Sequence, residues 1–184
     1  MSAAREREVL GHRLLLLRHA KAAPADPGGD PERPLAARGR RDAARMGAEI
    51  ERRGLAPEQV LCSSARRTRE TLELLMPHLG ANLSVVVDRS LYLAGPEEIL
   101  DRIAEVRERV QTLLVVGHHP GLAELALRLA RRSDSGASAR MEQKFPTGAL
   151  AALRFPAGRW RDLAPRSGVL DAFLTPREIA EDEG

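Results

Sequence analysis

Leu14-Leu15-Leu16-Leu17-Arg18-His19-Ala20 is an unbroken apolar run that stops at an arginine and a histidine side by side. Four leucines in succession leave no polar face, the pattern of a strand buried on both sides, as strands of parallel sheets are. Arg18 and His19 would then emerge at the carboxyl end of the strand, where open α/β sheets bind their ligands. Arginine presents a fixed fork of donors that matches phosphate oxygens, and histidine can attack phosphorus or carry a proton. Taken alone, the pair is equally readable as two solvated residues that follow a strand.

Two further stretches repeat the arrangement. The short run Val60-Leu61-Cys62 leads into Ser63-Ser64-Ala65-Arg66-Arg67-Thr68-Arg69-Glu70-Thr71, and Leu113-Leu114-Val115-Val116 leads into Gly117-His118-His119-Pro120-Gly121. Strands joined by helical crossovers run parallel, so all three carboxyl ends lie along one edge of the sheet and their polar residues can converge. Three strands ending in residues suited to hold phosphate point to phosphoryl chemistry.

Between these strands the periodicity predicts helices. One spans about 35 to 53, with Ala43, Met46, Gly47 and Ile50 on one face, and stops at Gly54. Another spans about 65 to 79, with Leu72, Leu75, Met76 and Leu79 at helical spacing. A third spans 96 to 110 with Ile99, Ile103, Val106 and Val110, and a fourth spans 121 to 132 with Leu122, Leu125, Ala126 and Leu129. Alternation in Leu83, Val85 and Val87 reads as a strand. Residues 133–139 read as a polar loop, "ALAALRF" and "RWRDL" as a terminal hairpin around Pro156-Ala157-Gly158, and "REIAEDEG" as a frayed tail. The order predicts an α/β fold: a single-domain three-layer α/β/α sandwich with a mostly parallel sheet and a C-terminal antiparallel hairpin.

Composition narrows the function classes. The 184 residues fit one domain of the usual size. A net charge of +3 is mildly basic, and with three phenylalanines, one tryptophan and one tyrosine there are few platforms on which bases could stack, so nucleic acid is not the expected partner. Attraction of an anionic substrate explains the same charge. No stretch approaches the roughly 20 apolar residues of a membrane span, and "MSAAREREVLGHR" lacks the apolar centre of a signal peptide, so the reading is a cytoplasmic protein with no membrane partner. Cys62 is the single cysteine, which excludes an internal disulfide and a cysteine metal cluster. His12, His19, His118 and His119 could be imagined as a metal site, but no carboxylate accompanies them at ligand spacing, and no metal is expected. His78 sits where a positive charge favours a helix C-terminus.

These three strand ends, in this order, resemble the histidine phosphatase superfamily and its small SixA-like phosphohistidine phosphatase branch. "RPLAARGRRDAARMGAEI" at 33–50 is similar to the RPL-x-x-x-G helix start of that family, and "FPTGA" at 145–149 to one of its turns. The likeness runs over nearly the whole chain and implies one histidine phosphatase domain over 1–184, with flexible tails at 1–11 and 177–184. It implies that His19 is the nucleophile that becomes phosphorylated, and that Arg18, Arg67 and protonated His118 clamp the phosphoryl oxygens. The family's arginine stands four places after the serine, which selects Arg67 over Arg66. Its histidine directly follows the glycine position, which selects His118 over His119. No cofactor or metal is implied, because guanidinium groups neutralise the charge on the phosphoryl oxygens.

Ser63 and Thr147 are candidates for contact with the substrate phosphate or for local backbone bonds. Lys21 and Arg33 are expected near the entrance, where Arg33 could pair with an acid of the loop containing Asp26 and Asp30. Ala20 departs from the commoner glycine and is less permissive at positive φ. No glutamate matches the family's proton donor. Asp88, Glu97 and Glu98 are candidates by proximity alone, and Glu97 and Glu98 also suit the first turn of a helix behind Pro96. The implied activity is hydrolysis of a phosphohistidine on a partner protein. A small-molecule phosphomonoesterase of the same superfamily and a non-catalytic phosphate-binding module are the other readings.

Overall fold

The computed structural model describes residues 11–131 and 135–182, so the expectations for residues 1–10, for 132 at the end of the fourth helix, for 133–134 of the loop and for the last two residues lie outside the described residues. The leucine run forms β1 (Arg13–Arg18), and its four leucines are fully buried. β2 (Gln59–Ser63), β3 (Ser84–Asp88) and β4 (Thr112–Gly117) are parallel to it, while β5 (Leu150–Arg154) and β6 (Val169–Leu174) form the antiparallel end. The six strands lie in the order β3-β2-β4-β1-β5-β6. Successive strand residues face opposite sides, and the two cores divide accordingly. Leu15 and Leu17 pack with α1 (Ala37–Arg52), α2 (Arg66–Leu75) and α6 (Pro176–Asp182). Leu14 and Leu16 pack with α3 (Pro96–Ala104), α4 (Gly121–Leu129) and α5 (Gly136–Gln143). The result is the three-layer sandwich with a mostly parallel sheet.

β4 lies between β1 and β2, so the chain leaving β1 crosses over β4 on the α1 face, whereas the chain leaving β4 continues into α4 on the other face. Such a divergence opens a crevice at the carboxyl ends of the two strands. Register brings Arg18 opposite Gly117, and the His19 amide donates to the Gly117 carbonyl at 3.0 Å, so His19 and His118 leave the sheet side by side.

Four local expectations are corrected. "RWRDL" is a 3-10 turn (Trp160–Asp162), not a strand, and the hairpin partner of β5 is Val169–Leu174. Trp160 serves instead as a buried plug: its indole N–H donates to the Val110 carbonyl at 2.9 Å and its ring stacks on His12. The third helix ends at Ala104, while Val106 and Val110 stay buried through turns. Within the expected loop, the Ser135 hydroxyl accepts from the Ser138 amide and starts α5. The tail is α6, because Thr175 and Glu178 exchange side-chain and backbone bonds as a capping box and Ile179 is buried under α1.

Candidate active site

A cleft of about 330 Å³ opens at the carboxyl edge of the sheet, lined by Arg18, His19, Lys21, Asp30, Arg33, Arg67, His118 and Thr147 among others. A larger depression of about 560 Å³ beside β3 is lined by Glu58, Glu105, Arg107 and Arg109 and gathers no histidine. The chemistry is in the smaller one.

His19 ends β1 with its ring pinned. Its Nδ1 is 2.8 Å from the Ala20 carbonyl. A carbonyl can only accept, so Nδ1 carries the proton and Nε2 keeps the lone pair. Burial, then the nearby guanidinium charges, hold the ring pKa down at about 4, so the imidazole is neutral and nucleophilic at physiological pH. Ala20 fits without cost, because it is not among the positive-φ residues. Its amide donates to the Thr71 hydroxyl at 3.1 Å, which ties the turn to α2. Gly148, at φ 77, turns the "FPTGA" segment so that its amide meets the carbonyls of both Arg18 and His19, at 3.1 and 3.0 Å. Thr147, beside it, reaches the cleft rim.

The guanidinium of Arg18 donates to the Phe145 carbonyl at 2.8 Å through one terminal nitrogen, and its buried Nε has no protein partner. Arg67 is buried in the first turn of α2, whereas its neighbour Arg66 is exposed and bonded to Glu70 at 2.7 Å. Successive helical residues lie about 100° apart, so only one of the two can face the cleft. Arg67 donates to the backbone and the carboxylate of Asp30, at 2.7 and 3.0 Å.

His118 directly follows β4, with its ring centroid 5.4 Å from that of His19. Arg67 approaches its Nδ1 at 3.4 Å, and an arginine can only donate, so Nδ1 is the acceptor. The Nε2 proton then goes to the Ser63 hydroxyl at 2.7 Å. Burial, His19 and Arg67 push its pKa down to about 3, so the ring rests neutral at physiological pH, and the protonated form expected for the transfer step is not its resting form. Negative charge brought beside the ring would raise that pKa. Ser63 is fully buried and orients His118 without lining the cleft. Lys21 and Arg33 are at the entrance, and Arg33 pairs with Asp30 at 2.9 Å.

None of the three acids singled out in the sequence is among the residues that line the cleft. Asp88 caps a turn through the Ser90 amide at 2.8 Å and pairs with Arg102, and Glu97 pairs with Arg128. A carboxyl oxygen of Glu98 lies beside Gly95. His78 bonds Glu51 at 2.7 Å on the α1 side. Two residues of the cleft region have no site role in the sequence reading, which offers Asp30 only as a partner for Arg33. Asp30 puts its carboxylate against Arg67, and the Tyr92 hydroxyl donates to that carboxylate at 2.6 Å while its ring stands edge-on to His118. The Tyr92, Arg33 and Arg67 donors hold Asp30 well below the usual carboxylate range. A signal for Asp30 did exist, three residues before Arg33 in the RPL segment, but neither residue type nor spacing aims it at the cleft.

Comparisons with known proteins place the sequence and the fold. Residues 14–92 match the model of the histidine phosphatase superfamily (branch 1). An uncharacterized protein of Mycobacterium tuberculosis is 40% identical over 163 residues, spanning 88% of this chain and 100% of its own length. The fold and the sequence together define the class: this chain belongs to the histidine phosphatase superfamily and is one of its phosphatases. Within the class it is similar to a structure from Nakamurella multipartitia, provisionally assigned as the phosphohistidine phosphatase SixA, at 34% identity and a TM-score of 0.78 over 90% of this chain and 96% of that one. The structure of the protein histidine phosphatase SixA complexed with tungstate, 22% identical with a TM-score of 0.72 over 91% of this chain and 99% of that one, shares the fold.

Proposed function

We propose that this phosphatase is a protein phosphohistidine phosphatase that works through a covalent intermediate on His19. The observation that carries the mechanism is the bond from His19 Nδ1 to the Ala20 carbonyl, which leaves the Nε2 lone pair free in a cleft lined by Arg18 and Arg67. In the first step Nε2 attacks phosphorus in line and the leaving group departs with the electron pair of its bond. Arg18, Arg67 and His118 meet the charge on the phosphoryl oxygens, each such preorganised donor being worth on the order of 3 kcal/mol of barrier. In the second step water attacks the phosphorus, Nε2 recovers its lone pair and phosphate leaves. Lys21 and Thr147 border the incoming group at the rim.

The substrate class follows from proton supply. An alkoxide leaves poorly without a proton, help worth roughly 10²- to 10⁴-fold, whereas an imidazole already protonated on its other nitrogen leaves as a neutral ring. Asp88 and Glu97 are paired outside the cleft, and Asp30, which lines it, is held ionised. P–N substrates therefore suit this cleft better than alkyl phosphates.

Profiling a phosphohistidine protein against phosphoglycerate, sugar phosphates and nucleotides tests the reading. The phosphohistidine substrate should be turned over fastest, with and without chelator. Acid quenching should trap an acid-labile, base-stable phosphate that is absent from His19→Ala. Faster turnover of sugar phosphates would favour a small-molecule phosphomonoesterase, and full activity in His19→Ala would remove the mechanism.

A further inference from the structure

Among the described residues that line the cleft Asp30 is the one acid, and the two-step reaction above leaves it without a task. A fixed negative charge beside the seat of a dianion weakens the binding of every phosphorylated substrate by Coulomb repulsion. It is compatible with efficient turnover when the rest of the substrate carries a positive charge for it to meet.

The bonding of Asp30 shows where that charge would sit. A carboxylate offers about four lone-pair positions, two on each oxygen. The described residues fill both positions on Oδ2, with Arg67 at 3.0 Å and the Tyr92 hydroxyl at 2.6 Å, and one on Oδ1, with Arg33 at 2.9 Å. One position on Oδ1 stays open, on a side chain that is 44% exposed. The three donors come from the turn of Asp30 itself, from α2 and from the segment after β3, so the carboxylate is held from three sides. It is a preorganised acceptor.

Building on the phosphohistidine reading, we infer that Asp30 sets the preference for P–N substrates: its open Oδ1 position accepts a hydrogen bond from the distal ring N–H of the substrate and holds the ring in its cationic, protonated form. The step then balances without an acid. The His19 Nε2 lone pair forms the new N–P bond, the old P–N bond breaks, and its electron pair returns to the substrate ring and cancels the positive charge. The distal proton stays where it was, the imidazole leaves neutral, and Asp30 remains a carboxylate throughout. An aryl or alkyl phosphate has no N–H to offer and meets the same carboxylate as repulsion alone.

The test compares kcat/KM for phosphohistidine with kcat/KM for 4-nitrophenyl phosphate in the wild type, Asp30→Asn, Asp30→Ser and Asp30→Glu. Loss of the ion pair to Arg67 weakens the clamp for both substrates alike and cancels in the ratio. The ratio of phosphohistidine to aryl phosphate should fall at least fivefold in Asp30→Asn and Asp30→Ser and recover in Asp30→Glu. A fall of less than fivefold in whichever neutral variants fold would overturn the assignment. A wild type that prefers phosphoglycerate or sugar phosphates would instead defeat the substrate reading itself.

Discussion

His19 and His118 have their chemistry set by their immediate neighbours. The Ala20 carbonyl fixes the tautomer of His19, and Ser63 with Arg67 fixes that of His118. Both rings are neutral because burial and surrounding guanidinium groups disfavour their charge. Their pKa values lie below the ordinary histidine value, so between about pH 4 and 6.5 the unfolded chain binds protons that the folded chain does not, and stability falls as pH drops through that window. Imidazole resonances followed by NMR should show His19 and His118 unprotonated from pH 5 to 8. Titration of either ring near pH 6.5 would contradict the buried, cation-flanked setting. The same scale separates the adjacent arginines of α2. Arg67→Ala removes a donor aimed into the cleft and should lower kcat/KM by about 10² or more, whereas Arg66→Ala breaks only an exposed pair with Glu70 and should change it less than about threefold. Steady-state kinetics on the two variants checks this, and equal losses would place the wrong arginine in the cleft.

Among the elements, the start of α1 shows why a glycine stands in the RPL segment. A Cβ at Gly39 would collide with the backbone carbonyl of Lys21, the residue that leads away from the Arg-His turn. The obstacle is backbone and cannot swing aside. Gly39→Ala should therefore destabilise the fold by roughly 1 to 3 kcal/mol, against the gain of about 1 kcal/mol that alanine brings to an open helix position. Urea denaturation reads the sign directly, and an unchanged or raised midpoint would show that α1 can move away. The elements also mark where reading the sequence failed and why. Strands and helices with a strong apolar period were legible, to within a turn at their ends except for α3, which stops six residues short of the expected end because Val106 and Val110 are buried through turns. Helix α6 was not, although Thr175-Pro176-Arg177-Glu178 carries the capping-box pattern, because its charge outweighed the buried Pro176 and Ile179. "RWRDL" had the residue types of a strand, yet Trp160 is drawn off the sheet by its buried bond to Val110.

For the molecule as a whole, what the sequence alone determined is local in origin: three apolar runs, each ending in residues suited to hold phosphate, and the helical periods between them. Those patterns decide a parallel sheet, and a parallel sheet places Arg18, His19, Ser63, Arg67 and His118 at one edge without any knowledge of distances. What only the tertiary structure decided is which groups face each other across that edge. Asp30 meets Arg67 from 37 residues away and Tyr92 from 62, and no periodicity encodes such pairings. The charge state of His118 and the turn of Ser63 toward it, away from the cleft, were likewise beyond the sequence. Burial and hydrogen-bond direction belong to the surroundings of a side chain, and those surroundings exist only after strands distant in the chain have come together.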